Sequence, residues 1–207
     1  MLHRLLNSVR NRKAQSDLRN LLASLPLRTS ESLSGVVTQG DVLDIPDWYP
    51  DAAAYQPTHY HALLALLSYF NSDSIFFDLG CGKGRVLWFV ASRRRLKRIV
   101  GLEIVPKLAQ IARENMAKCK LLTPVTIIEE DACQADLSEG TVYFLNNPFG
   151  EKTLRRVLQN IRTSLRTHPR RIRIIYYNPK FAHIFDDDIW LRPEEHDGDF
   201  RVWENEC

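Results

Sequence analysis

At 207 residues, with 44% hydrophobic and 26% charged side chains, the chain has the size and composition of one globular domain with a substantial core. No apolar segment approaches the roughly 20 residues that span a bilayer, and no secretory apolar stretch is visible, so a cytoplasmic protein is expected. Net charge is only +3, and the four cysteines (Cys81, Cys119, Cys133, Cys207) lack C-x-x-C or Cys/His ligand spacing, so neither a metal site nor a disulfide framework is expected.

Residues 1–50 read as a helical extension followed by a loop, and 51–207 as the main domain. Between Met1 and Leu25, Leu2, Leu5, Leu6 and Val9 recur at helical spacing, as do Leu18, Leu21, Leu22 and Leu25, with arginines on the other face. Packing against the domain or a partner subunit, as in a dimer, is preferred over the organellar presequence or membrane-surface helix that an Arg-rich start also fits. Pro26 to Asp51 is mixed in Ser, Thr, Gly, Asp and Pro and reads as a loop or lid. Thr58 is the expected N-cap of a helix reaching about Phe70, and His59 and His61 read as surface residues.

Strand and helix signals then alternate. Strands are expected at 75–79, 98–103, 125–130, 141–145 and 172–177, with helices near 84–94, 106–118 and 151–167. That rhythm predicts parallel strands joined by helices on both faces of a sheet. The first strand runs into Asp78-Leu79-Gly80-Cys81-Gly82-Lys83-Gly84-Arg85. Glycines at alternate positions allow positive φ and close approach to a ligand. The third glycine comes one residue earlier than in a dinucleotide fingerprint. The next two strands also end in acids, at Glu103 and Asp131. An isolated acid there is often a helix cap, but three in register after a glycine loop point to a polar ligand at the carboxyl edge of the sheet.

Asp78 to Gly84 resembles the first motif of class I S-adenosylmethionine (SAM) methyltransferases, and the likeness extends over residues 52–205. It implies a Rossmann-like, mostly parallel seven-stranded sheet completed by an antiparallel hairpin from Ile189-Trp190-Leu191 and Phe200 to Trp203. It also implies SAM as cofactor, with Asp78, Gly80, Cys81 and Gly82 at the amino-acid end, Glu103 on the ribose hydroxyls and Asp131 with Ala132 at the adenine. Tyr55 and Thr58 would close over the methionine end.

The fourth strand ends in Asn146-Asn147-Pro148-Phe149-Gly150, which resembles the Asn/Asp-Pro-Pro-Tyr/Phe motif of methyltransferases acting on nitrogen. Two alignments are open, beginning at Asn146 or at Asn147. The resemblance implies Asn147, Pro148 and Phe149 as catalytic residues and Asn146 as a cofactor contact. Tyr177 and Asn178, in a second Asn-Pro turn, are the expected acceptor-pocket residues. No His or Lys stands at a strand end as a base for a hydroxyl acceptor, which favours nitrogen. The acceptor is expected to be a protein side chain or a small molecule. An RNA methyltransferase is the alternative, because arginines cluster at 93–98 and 155–173, although exposed helical faces are commonly cationic. A SAM-binding module without catalysis is the third reading.

Overall fold

A computed structural model describes residues 27–40, 51–194 and 200–206. The helices expected within 1–25, residues 41–50 and 195–199, and Cys207 lie outside the described residues. The elements are helix α1 over 27–33, α2 (Tyr60–Leu66), β1 (Ile75–Leu79), α3 (Arg85–Ala91), β2 (Arg98–Glu103) and α4 (Pro106–Ala117). They continue as β3 (Val125–Glu129), β4 (Val142–Leu145), α5 (Glu151–Thr167), β5 (Arg173–Tyr177), α6 (Ala182–Asp186), β6 (Leu191–Pro193) and β7 (Phe200–Asn205).

The strands form one seven-stranded sheet in the order β3-β2-β1-β4-β5-β7-β6. β1 to β5 are parallel, and β7 runs antiparallel to both β5 and β6. The order reverses between β1 and β4, so a crevice opens at their carboxyl ends, where open α/β sheets bind ligands.

Period-two alternation gives the sheet two apolar faces. Phe76, Ile99, Phe144 and Ile175 join α2 and α3 on one side. Phe77, Val100, Tyr143 and Ile174 join α5 and α6 on the other. Helix α5 supplies Leu154, Val157, Leu158 and Ile161, spaced as one helical stripe, and all are buried. Pro106 occupies the first turn of α4, where its missing N–H costs nothing.

The helix expected to run from Thr58 to Phe70 is α2 followed by a 3-10 turn at Leu67–Tyr69. Thr58 is not its cap: His59 precedes the helix without any side-chain capping bond, and Thr58 Oγ1 accepts from Asn146 Nδ2 instead. The stretch read as a loop or lid contains α1. Leu27 and Val36 from this segment are buried in the domain core, which is what orders a sequence with weak helical signals.

Candidate active site

The glycine turn follows β1 directly. Gly80, Gly82 and Gly84 have φ of 77°, 55° and 80°. A Cβ on Gly80 would lie 2.2 Å from Pro148 Cβ, and one on Gly82 would lie 2.3 Å from the Tyr55 ring. The turn is tethered to the end of β2: the Gly80 and Cys81 N–H groups donate to the Leu102 carbonyl at 2.9 and 2.8 Å. Glu103 adds a side-chain tether, accepting from Gly82 N at 2.8 Å and from Val105 N at 2.9 Å. Burial raises its carboxyl above the usual carboxylate range, while those N–H donors oppose the rise. Asp78 is pushed up to about 8, by burial first and by the Glu103 charge second. Its Oδ2 is buried with no hydrogen-bond partner among the described residues.

On the opposite wall, Asn146 Nδ2 donates to the Gln56 carbonyl and to Thr58 Oγ1, both at 3.1 Å. Asn147, with φ of 48°, has both ends of its amide engaged. Nδ2 donates to the Asn178 carbonyl at 2.8 Å, and Oδ1 accepts from Tyr176 OH at 2.8 Å and Lys180 N at 3.2 Å. Residues 51–53 lie along the 148–150 turn: Ala52 bridges Phe149, Ala53 N donates to the Pro148 carbonyl, and Gly150 N donates to the Asp51 carbonyl. Asp51 Oδ2 also accepts from Thr153 N at 2.8 Å, covering the start of α5.

These walls enclose a cleft of about 310 Å³ at the β1/β4 switch point. Residues 76–168 match a family model described as a methyltransferase domain. Residues 76–168 thus carry a methyltransferase domain, built on the fold of class I SAM-dependent methyltransferases.

The methyltransferase is 29% identical over 112 residues to a protein-lysine N-methyltransferase of Saccharolobus islandicus, a match covering 53% of this chain and 70% of the relative. It also superposes on an RNA methyltransferase of Salinibacter ruber, in complex with S-adenosyl-L-homocysteine, with TM-score 0.53, 25% identity, and coverage of 72% of this chain and 92% of the other. A precorrin-6y C5,15-methyltransferase of Geobacter metallireducens shares the fold at TM-score 0.56 and 17% identity, over 73% of this chain and 90% of that one.

The residues of the methyltransferase fit SAM. The glycine turn lets Pro148 and Tyr55 close directly against its backbone, Glu103 stands at the end of β2, and Asp78 presents a buried oxygen, unpartnered among the described residues, that suits a cationic ligand. Tyr55, Thr58, Asp78, Gly80, Cys81, Gly82, Glu103, Asp131, Ala132, Asn146, Asn147, Pro148 and Phe149 all line the cleft. Tyr177 and Asn178 do not line it. Tyr177 OH pairs with His59 Nδ1 at 2.7 Å, and Asn178 meets the site only through its carbonyl on Asn147.

Arg85 lines the cleft too, although no role was expected for it. Its position one residue past the glycine turn was the available signal. Glu31 and Thr38, which hold Arg85 from the N-terminal segment, had none, because their stretch carries no motif.

Proposed function

We propose that the enzyme methylates a nitrogen, on a protein side chain or a small molecule. Asn146 carries the reading. Its Nδ2 is committed to Gln56 and Thr58, which leaves Oδ1 on the cleft wall without a partner among the described residues. An amine or amide N–H donates to such an oxygen and is thereby oriented. This favours the alignment of the Asn-Pro motif that begins at Asn146, with Asn147 as the brace of the turn.

SAM, when bound, supplies a methyl group activated by its sulfonium. The protein's part is to hold the nitrogen in line at near-attack distance, and to let a protonated amine lose its proton first, since only the free lone pair attacks. Phe149 lines the cleft beside Asn146 and offers an aromatic face to a cationic or planar acceptor. The Glu103 carboxylate is engaged by the Gly82 and Val105 N–H groups, which commits it to the glycine turn rather than to the hydroxyl of an acceptor. The name of the Saccharolobus relative agrees with a nitrogen acceptor.

The RNA alternative draws on the name of the Salinibacter neighbour. Against it, several of the clustered arginines are engaged within the chain: Arg98 with Glu139, Arg155 with Glu151, Arg162 with Asp188 and Arg173 with Glu194 and Glu204.

Incubation of the protein with methyl-labelled SAM and fractionated cell extract tests both readings. Label is expected in a protease-sensitive or small-molecule fraction. Asn146→Ala should cut transfer by about 100-fold with S-adenosylhomocysteine binding retained. Label released by ribonuclease alone would replace the nitrogen reading with the RNA one, and full transfer by Asn146→Ala would remove the assignment of Asn146.

A further inference from the structure

Part of the segment before the family-matched region packs over the glycine turn. Residues 27–40 cross the glycine turn as a strap. Asn115 Oδ1 accepts from Val37 N at 3.0 Å, and its Nδ2 donates to the Val37 carbonyl at 3.0 Å and the Lys83 carbonyl at 2.9 Å. Lys83 Nζ donates to the Gln39 and Gly40 carbonyls at 2.8 and 2.7 Å. Tyr55 OH donates to the Thr38 carbonyl at 2.7 Å.

At the centre of this contact lies Arg85, only 4% exposed. Nε donates to Thr38 Oγ1 at 2.7 Å, and Nη1 donates to the Thr58 carbonyl at 3.0 Å. Glu31, equally buried, accepts from Thr38 N at 3.1 Å and from Thr38 Oγ1. Its Oε2 lies 3.8 Å from Arg85 Nε. Arg85 Nη2 is buried and has no hydrogen-bond partner among the described residues. A buried guanidinium edge without an acceptor is costly, and this one belongs to a residue on the cleft wall.

Asp78 and Arg85 therefore flank the glycine turn with complementary unmet demands: a buried carboxyl oxygen that accepts and a buried N–H edge that donates. An α-amino acid zwitterion satisfies both. The donor carries one such group, and its α-carboxylate is the only anion in the molecule.

Building on the SAM assignment, we propose that Arg85 binds the donor's α-carboxylate through Nη2, and that Glu31 and Thr38 of the strap are positioning residues that hold the guanidinium in that pose. The methyl-donor site of this chain thus includes its N-terminal segment.

Calorimetry on the full chain tests this with three ligands: S-adenosylhomocysteine, its decarboxylated analogue 5′-deoxy-5′-(3-aminopropylthio)adenosine, and 5′-methylthioadenosine. The wild type should favour S-adenosylhomocysteine over the decarboxylated analogue by about 10-fold or more, as expected for a charge-assisted bond. Arg85→Gln should erase that preference and leave 5′-methylthioadenosine binding within about threefold. Glu31→Gln should reduce the preference in the wild-type background and have no further effect on it in Arg85→Gln.

A wild type that binds the carboxylated and decarboxylated ligands equally overturns the proposal, whether or not the variants fold. So does an Arg85→Gln protein that weakens all three ligands alike. A wild type that binds none of the three overturns the SAM assignment itself.

Discussion

At Asp78, burial and the Glu103 carboxylate together lift the carboxyl from 3.8 to about 8. An acid whose folded value lies above its unfolded one binds its proton more tightly when folded, so it removes stability as pH rises from about 4 to about 8. Asp78→Asn should therefore stabilise the ligand-free protein above about pH 8, by about 1–3 kcal/mol, with little effect near about pH 4. Thermal melts across that range check it. A cationic donor reverses the balance: it favours the carboxylate, so binding below about pH 8 should release a proton and tighten as pH rises. Calorimetry in buffers of different ionisation enthalpy should show this release in the wild type and none in Asp78→Asn. Asp78 was legible as a strand-end acid before a glycine turn. Its missing partner was not, because a hydrogen-bond deficit exists only once neighbours are placed. Asn146 and Asn147 show the same limit. Adjacent identical residues give no ground for dividing their roles, whereas the fold commits both ends of the Asn147 amide to Asn178, Tyr176 and Lys180 and leaves Asn146 half-free.

Among the elements, the glycine turn is the most constrained. Gly82→Ala would set a Cβ 2.3 Å from the Tyr55 ring at a φ of 55°, adding backbone strain of about 1 kcal/mol to a steric clash. S-adenosylhomocysteine binding should fall below detection by calorimetry and the melting temperature should drop. Unchanged binding would mean that Tyr55 moves away without cost. The turn was legible because glycine spacing is a local property. The strap was not. Its Ser, Thr and Gly content reads as loop, and α1 exists because Leu27 and Glu31 are buried against the domain. Thr58 likewise looked like a cap from its position, but a hydroxyl bonds whichever group reaches it, and here Asn146 arrives from the end of β4.

For the whole molecule, the pairing of charge matters more than its total. Among the described residues, several acids of the C-terminal segment are matched within the chain, with Asp186 on Arg201 and Glu206 on Arg192, while Arg173 takes Glu194 and Glu204. Filter binding to RNA should accordingly be weak, with a salt slope equivalent to no more than about three phosphates. Steep, tight binding would favour the RNA reading. Among the described residues no helix is long and apolar enough to cross a membrane. By itself the sequence determined the alternation of strands and helices, the glycine turn and the acids at three strand ends, because periodicity and turn chemistry are written in neighbouring residues. Only the tertiary structure decided that Asn146 rather than Asn147 keeps a free oxygen, that Tyr177 and Asn178 do not line the cleft, and that a strap from residues 27–40 holds Arg85 on the cleft wall. Each of those depends on contacts between residues tens of positions apart, such as Thr38 with Arg85 and Thr58 with Asn146, and the sheet brings them together.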